Sequence, residues 1–162
     1  MASLRLPFAI LAAAPLALGL TSCTSPAPSS GTSETVVSAV VRAESDAGGR
    51  AFDLDREDDG TWEIHVVANG RAVDLRISAD GEQVLSRGDA DALDAADRAA
   101  IESAGTTMAD AVRTAVAAHG GGSVEEVGIE QAGDGPVWQV SFDAGADVAI
   151  SLADGSVVRA AD

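Results

Sequence analysis

The chain carries one pattern twice. Thr61-Trp62-Glu63-Ile64-His65-Val66 and Val137-Trp138-Gln139-Val140-Ser141-Phe142 share a Trp-x-aliphatic-x-apolar order, with the tryptophans 76 residues apart. Downstream, Leu75-Arg76-Ile77 corresponds to Val148-Ala149-Ile150 and Val84-Leu85 to Val157-Val158, both at an offset of 73, so the first copy has three more residues around Asn69-Gly70. Upstream, Ala39-Val40 corresponds to Ala111-Val112, and a glycine cluster follows each (Gly48-Gly49 and Gly120 to Gly122). These are the only two tryptophans in 162 residues. A duplication constrains the fold more than composition does, because whatever one copy builds the other must build as well.

Each copy reads as a helix followed by strands. Met108, Ala111, Val112, Ala115 and Val116 form one helical stripe, with Thr107 as N-cap, Asp110 at N3 and Gly120 to Gly122 as the stop. In the first copy Val36, Val37, Val40 and Val41 make the expected stripe, ended by Gly48-Gly49. Period-two segments then run over Ala51 to Glu57, Thr61 to Val67, Arg71 to Ser78 and a short Val84-Leu85. The second copy repeats them over Val124 to Gln131, Val137 to Asp143, Asp147 to Leu152 and Ser156 to Arg159. Asp58-Asp59-Gly60 and Asn69-Gly70 suit hairpin turns in the first copy, as do Gly133-Asp134-Gly135 and Ala144-Gly145 in the second. Trp62, Ile64 and Val66 share one face of a strand, as do Trp138, Val140 and Phe142, and these faces are expected to pack on the helix stripes as core. Asp89 to Ser103 reads as an acidic helix with a weak apolar edge of Leu93, Ala96, Ala100 and Ile101. Units of about 55 residues are near the lower limit for folding alone, so the copies are expected to pack on one another.

The pattern resembles the PepSY domain, a small extracytoplasmic module of peptidase propeptides and bacterial envelope proteins. The resemblance covers about residues 34–87 and 106–160. It is carried by the Ala-Val helices with their glycine stops, the Trp62 and Trp138 strands, and the closing phrases Ile77-Ser-Ala-Asp-Gly-Glu-Gln-Val-Leu85 and Ile150-Ser-Leu-Ala-Asp-Gly-Ser-Val-Val158. Ser78 and Ser151 stand where the family phrase usually has Asp. The resemblance implies an α+β fold of two tandem units, each a helix packed on a small antiparallel sheet. It also implies a non-enzymatic role, restraining a peptidase or contacting another envelope protein.

The beginning of the chain reads as an address. Arg5 precedes an apolar run from Leu6 to Leu20 that is interrupted by Pro7 and Pro15, too short and broken for a comfortable membrane span. The run ends in Leu20-Thr21-Ser22-Cys23, which resembles the lipobox of bacterial lipoproteins. That resemblance implies acylation of the Cys23 sulfur and cleavage before it. A Pro/Ser/Thr-rich tether follows. The organisation expected is a lipoprotein signal over 1–22, a tether over 23–33, a first repeat over 34–87, an acidic linker helix over 88–105 and a second repeat over 106–162. Removing the signal, whose single charge is Arg5, takes the net charge from −16 to −17.

That charge excludes a phosphate-backbone binder. There are 26 Asp and Glu against 10 Arg, and no lysine, so no basic stripe exists for nucleic acid. A single Cys excludes an intrachain disulfide and a multi-cysteine zinc site. Asp55, Glu57 and Asp59 before Gly60 are the nearest approach to a calcium loop. Val66, however, stands where a closing bidentate Glu belongs, so an acidic hairpin turn is the better reading. His65 and His119 read as an isolated surface residue and a helix-end residue. No Gly-x-Ser-x-Gly elbow or phosphate-cradling Gly-Lys motif is present.

These features predict a lipid-anchored binding module at the outer face of the cell membrane, attached through acylated Cys23, without cofactor or catalytic residues. It would contact an envelope protein or peptidase through exposed sheet or edge positions. Asp53, Asp55, Glu63 and Asp74 are the contact candidates, deterring self-pairing while admitting a basic partner strand. The alternative is a lipoprotein that binds or senses a metal such as calcium with its carboxylates.

Overall fold

The computed structural model describes residues 32–143 and 145–160. The signal, Cys23 and all of the tether before Thr32 lie outside them.

The described residues form eleven elements, in the order helix, four strands, two helices, four strands. Helix α1 spans Ser33–Ala47. Strands β1 (Arg50–Arg56), β2 (Trp62–Ala68), β3 (Arg71–Ile77) and β4 (Val84–Asp89) complete the first half. Helix α2 (Ala95–Ser103) links it to α3 (Met108–His119) and to β5 (Val124–Ala132), β6 (Gly135–Phe142), β7 (Asp147–Ser151) and β8 (Val157–Arg159).

The expectation of two units, each with its own small sheet, is overturned. The strands form one eight-stranded sheet in the order β4-β3-β2-β1-β5-β6-β7-β8, and every neighbouring pair is antiparallel. The joint is β1 against β5, with Leu54 opposite Val127 and Asp55 opposite Glu126. In a separate unit β1 would be an edge with unsatisfied backbone groups. Pairing it with the equivalent strand of the other copy satisfies them and removes two edges at once.

The helix layer is joined in the same way. Helix α1 packs on β1 to β4, α3 packs on β5 to β8, and the two helices lie against each other. One core therefore runs beneath both, holding Trp62, Ile64, Leu75 and Ile77 from one half and Trp138, Val140, Val148 and Ile150 from the other. At about 25 cal/mol per Å2, burying a tryptophan contributes on the order of 4–6 kcal/mol before entropic costs. Both tryptophans are core residues.

Local chemistry sets the ends of the helices. Thr32 caps α1, Asp94 caps α2 and Thr107 caps α3, each side chain accepting from a backbone N–H of the first turn. Gly48 and Gly120 end α1 and α3 in the left-handed conformation. The buried stripe of α1 is Val36, Ala39, Val40 and Ala43, while Val41 is 51% exposed. The expected all-valine stripe is thus corrected by one helical step, because the alanines allow close approach to the sheet. Strand β4 continues to Asp89, so α2 begins only at Ala95. Arg50 Nη1 donates to the Ile101 and Ala104 carbonyls at 3.1 and 3.2 Å, tying α2 to the start of β1.

The closing phrases form matching turns. Asp80 Oδ1 accepts from the Ser78 hydroxyl at 2.5 Å and the Glu82 N–H at 3.1 Å. Asp154 Oδ1 accepts from the Ser156 hydroxyl at 2.7 Å and its N–H at 3.1 Å. These bonds hold both carboxyls below the ordinary carboxylate pKa.

Candidate functional site

Helices α1 and α3 cover one face of the sheet, and the chemically interesting side chains of the first half stand on the other. Alternation along β2 sends Trp62, Ile64 and Val66 into the core and leaves Glu63 and His65 half-exposed. The two-residue turn Asn69-Gly70, with φ of 52° and 77°, sets the register of β2 against β3. Ala68 therefore opposes Arg71, and His65 opposes Asp74. On the other side of β2, His65 opposes Asp53 and Glu63 opposes Asp55. Three adjacent strands thus place carboxylates around one imidazole.

The contacts are close. His65 Nδ1 lies 3.2 Å from Asp53 Oδ2 and Nε2 lies 3.5 Å from Glu63 Oε1. Prospective ligand atoms of Glu63, His65 and Asp74 all lie within 4.8 Å of one another. Burial, reinforced by neighbouring Asp55, raises the Asp53 carboxyl above the ordinary carboxylate pKa. His65 pulls in the opposite direction and Glu126 adds to the rise. A bulge in β1 between Ala51 and Asp53 brings the Phe52 ring to 5.7 Å from the imidazole. Glycines flank the group. A Cβ at Gly128 would meet Asp53 Oδ1 at 3.4 Å, and one at Gly88 would meet Asp74 Oδ2 at 3.8 Å.

The contact candidates named from sequence therefore occur together, but on a broad face. Asp53 and Asp55 belong to β1 and Glu63 to β2, which are interior strands, and among the described residues the edges of the sheet are β4 and β8. Glu126, opposite Asp55, extends the acidic patch across the joint and was not singled out from the sequence.

The Asp55, Glu57 and Asp59 set separates. Asp59 Oδ1 accepts from the Thr61 N–H and hydroxyl at 3.1 and 2.6 Å, and Oδ2 accepts from Arg76 at 2.7 Å. The carboxylate is occupied in holding its own turn. His119 stacks on Phe142 with centroids 4.3 Å apart, and its Nδ1 contacts the Gly121 carbonyl, as befits a helix-end residue. Cys23 lies outside the described residues. Among the described residues no helix is long and apolar enough to cross a membrane.

The second copy lacks the constellation. By the equivalence of the tryptophan strands, Glu63 becomes Gln139 and His65 becomes Ser141, while Asp74 becomes Asp147. The fold is duplicated and this chemistry is not.

No family model matches the chain, and no curated protein matches it. The PepSY resemblance thus stands on the phrases quoted above alone. A crystal structure of a Clostridium difficile 630 protein, provisionally described as a lipoprotein, is similar with a TM-score of 0.41 and 16% identity, over 74% of this chain and 86% of that one. At that TM-score the likeness transfers neither fold nor function.

Proposed function

We propose that this protein is a lipid-anchored extracytoplasmic binding module, held at the outer face of the cell membrane through acylated Cys23, that acts by contact. Its partner is an envelope protein, such as a peptidase of the kind PepSY-like modules accompany, and presents a cationic segment to the acidic face of the sheet. The observation that carries this reading is the patch of Asp53, Asp55, Glu63, Asp74 and Glu126 on neighbouring strands of the face opposite α1 and α3. Several like charges fixed by backbone register create a field that speeds encounter with an opposite charge and weakens with salt.

Two measurements test it. Cys23→Ser should move the protein from the membrane pellet to the soluble fraction, and retention after a salt wash rejects the anchor. For the contact surface, the double reversal Asp55→Lys with Glu126→Lys should lower capture of an arginine-rich peptide, and of the envelope partner, at least tenfold. The reversal of Glu102 and Asp134, which applies the same charge change elsewhere, should leave both nearly unchanged. Equal losses for the two double variants would reduce the effect to net charge and overturn the patch.

A further inference from the structure

We infer that Glu63, His65 and Asp74 form a binding site for a divalent first-row transition metal, with Asp53 orienting the imidazole. The site does not depend on the binding-module reading.

Register makes the ligand set. Glu63 and His65 are two apart on β2 and so share a face, and Asp74 stands directly opposite His65 on β3. Their ligand atoms all lie within 4.8 Å of one another. Tetrahedral ligands at about 2.1 Å from a metal are separated by about 3.4 Å, so closure asks for side-chain shifts of roughly an ångström and no backbone movement.

Two further observations point to a cation. His65 Nδ1 is 3.2 Å from the Asp53 carboxylate while Nε2 faces Glu63. A ligating histidine commonly passes its second ring N–H to a carboxylate in this manner, which fixes the tautomer and makes the free nitrogen more basic. Independently, Asp74 Oδ1 is shut off from solvent and accepts no hydrogen bond among the described residues. A carboxylate oxygen in that position loses water without gaining a donor, and a bound cation restores the lost interaction.

The donor set selects the metal class. One imidazole and two carboxylates, without thiolate, favour zinc, iron or nickel over the all-oxygen shells of calcium and magnesium. Three protein ligands leave a fourth position for water or a partner's side chain. The second copy supplies an internal comparison, because Gln139 and Ser141 replace two of the three ligands on the same scaffold.

The test is zinc titration of the chelator-treated full chain by calorimetry, with the His65 ring resonances followed by NMR. One equivalent should bind per chain and shift the His65 resonances. His65→Ser, Glu63→Gln and Asp74→Asn should each weaken binding at least tenfold, and Asp53→Asn should weaken it in the same direction. His119→Gln and Asp147→Asn should leave it unchanged. Circular dichroism checks the fold of each variant, and the NMR arm on the unmutated chain needs no variant. Absence of binding, a bound equivalent that leaves the His65 resonances unmoved, or equal affinity in folded His65→Ser would overturn the site. The imidazole would then be held between Asp53 and Glu63 by hydrogen bonds alone.

Discussion

Leu54 and Val127 face each other across the joint between β1 and β5, and they occupy the same position in the two copies. A position that pairs with its own counterpart lies on an approximate two-fold axis. Both side chains are fully buried, so the axis passes through the core.

The first prediction follows from that placement. Leu54→Ala should cost about 2–5 kcal/mol, as for other buried leucines, and should destabilise both halves together. Urea unfolding followed in the single-tryptophan variants Trp62→Phe and Trp138→Phe reads each half separately. Within each single-tryptophan variant the fluorescence midpoint should coincide with the far-UV circular dichroism midpoint of the whole chain, with and without Leu54→Ala. Two separated transitions would show that the joint does not couple the halves.

The tryptophans should differ in replaceability. Trp138 Nε1 donates to the Thr106 carbonyl at 3.2 Å, whereas Trp62 Nε1 is buried with no acceptor among the described residues. Both substitutions by Phe lose similar volume, but only Trp138→Phe strands a buried carbonyl. It should therefore be the more destabilising by about 1 kcal/mol in urea denaturation. The reverse order would contradict the hydrogen-bond assignment.

Two glycines separate backbone strain from collision. Gly48 and Gly81 have φ of 71° and 77°, but a Cβ at Gly48 meets nothing within 4 Å and one at Gly81 would lie 2.6 Å from the Thr35 carbonyl oxygen. Gly48→Ala should cost about 1–2 kcal/mol for the left-handed conformation. Gly81→Ala should add a further 1–3 kcal/mol or so from overpacking against α1. Thermal denaturation of the two variants gives the comparison directly.

Acid should act on this protein in two opposite ways. Burial raises the Glu44 pKa above its ordinary 4.5, against the Ala51 N–H and Arg50, which lower it. The folded state then binds the proton more tightly than the unfolded one. The Glu44 contribution is accordingly complete below about pH 4.5 and falls as pH rises through the folded value. Glu44→Gln retains an acceptor for Ala51 and should flatten that decline. Asp59, Asp80 and Asp154 have lowered pKa values, chiefly through hydrogen bonds from Thr61, Ser78 and Ser156. Their stabilisation is present above the unfolded carboxylate pKa and disappears as pH falls through the folded values. Asp80→Asn with Asp154→Asn should reduce the acid loss, measured by urea midpoints from pH 3 to 7.

The elements were largely legible in the sequence because duplication and periodicity are local signals. The caps Thr107 and Gly120, the Asn69-Gly70 hairpin and the core placement of both tryptophans all follow from short windows. The fusion of the sheets does not, since the apolar alternation at Leu54 reads alike in an edge strand and a central one. The sequence pattern shortens β4 to Val84-Leu85 for a related reason. Ser86 to Asp89 are exposed, show no alternation and are held by backbone pairing to β3. The contact acids are legible as residues, and the register decides between the exposed-sheet and edge positions expected for them, because β1, β2 and β3 are all interior strands. His65 reads as solitary because two of its carboxylate neighbours, Asp53 and Asp74, are 12 residues before it and 9 after it. The Asn69-Gly70 turn did contain the clue: with Ala68 opposite Arg71, counting back along both strands brings His65 to Asp74.

The approximate two-fold axis through Leu54 and Val127 makes each half self-complementary. A half severed after β4 would present an unpaired β1 and an uncovered flank of α1, the surfaces that the other copy now satisfies. Such a fragment has the makings of a symmetric dimer, and the full chain can be seen as that dimer made permanent by covalent linkage. Linkage frees the two halves from having to stay alike. In a true homodimer every change is imposed on both subunits, so an imidazole among carboxylates would appear twice. Here a single polypeptide keeps the imidazole at His65 while Ser141, opposite Glu126 and Asp147, stands in the matching place, giving a symmetrical scaffold two chemically different halves.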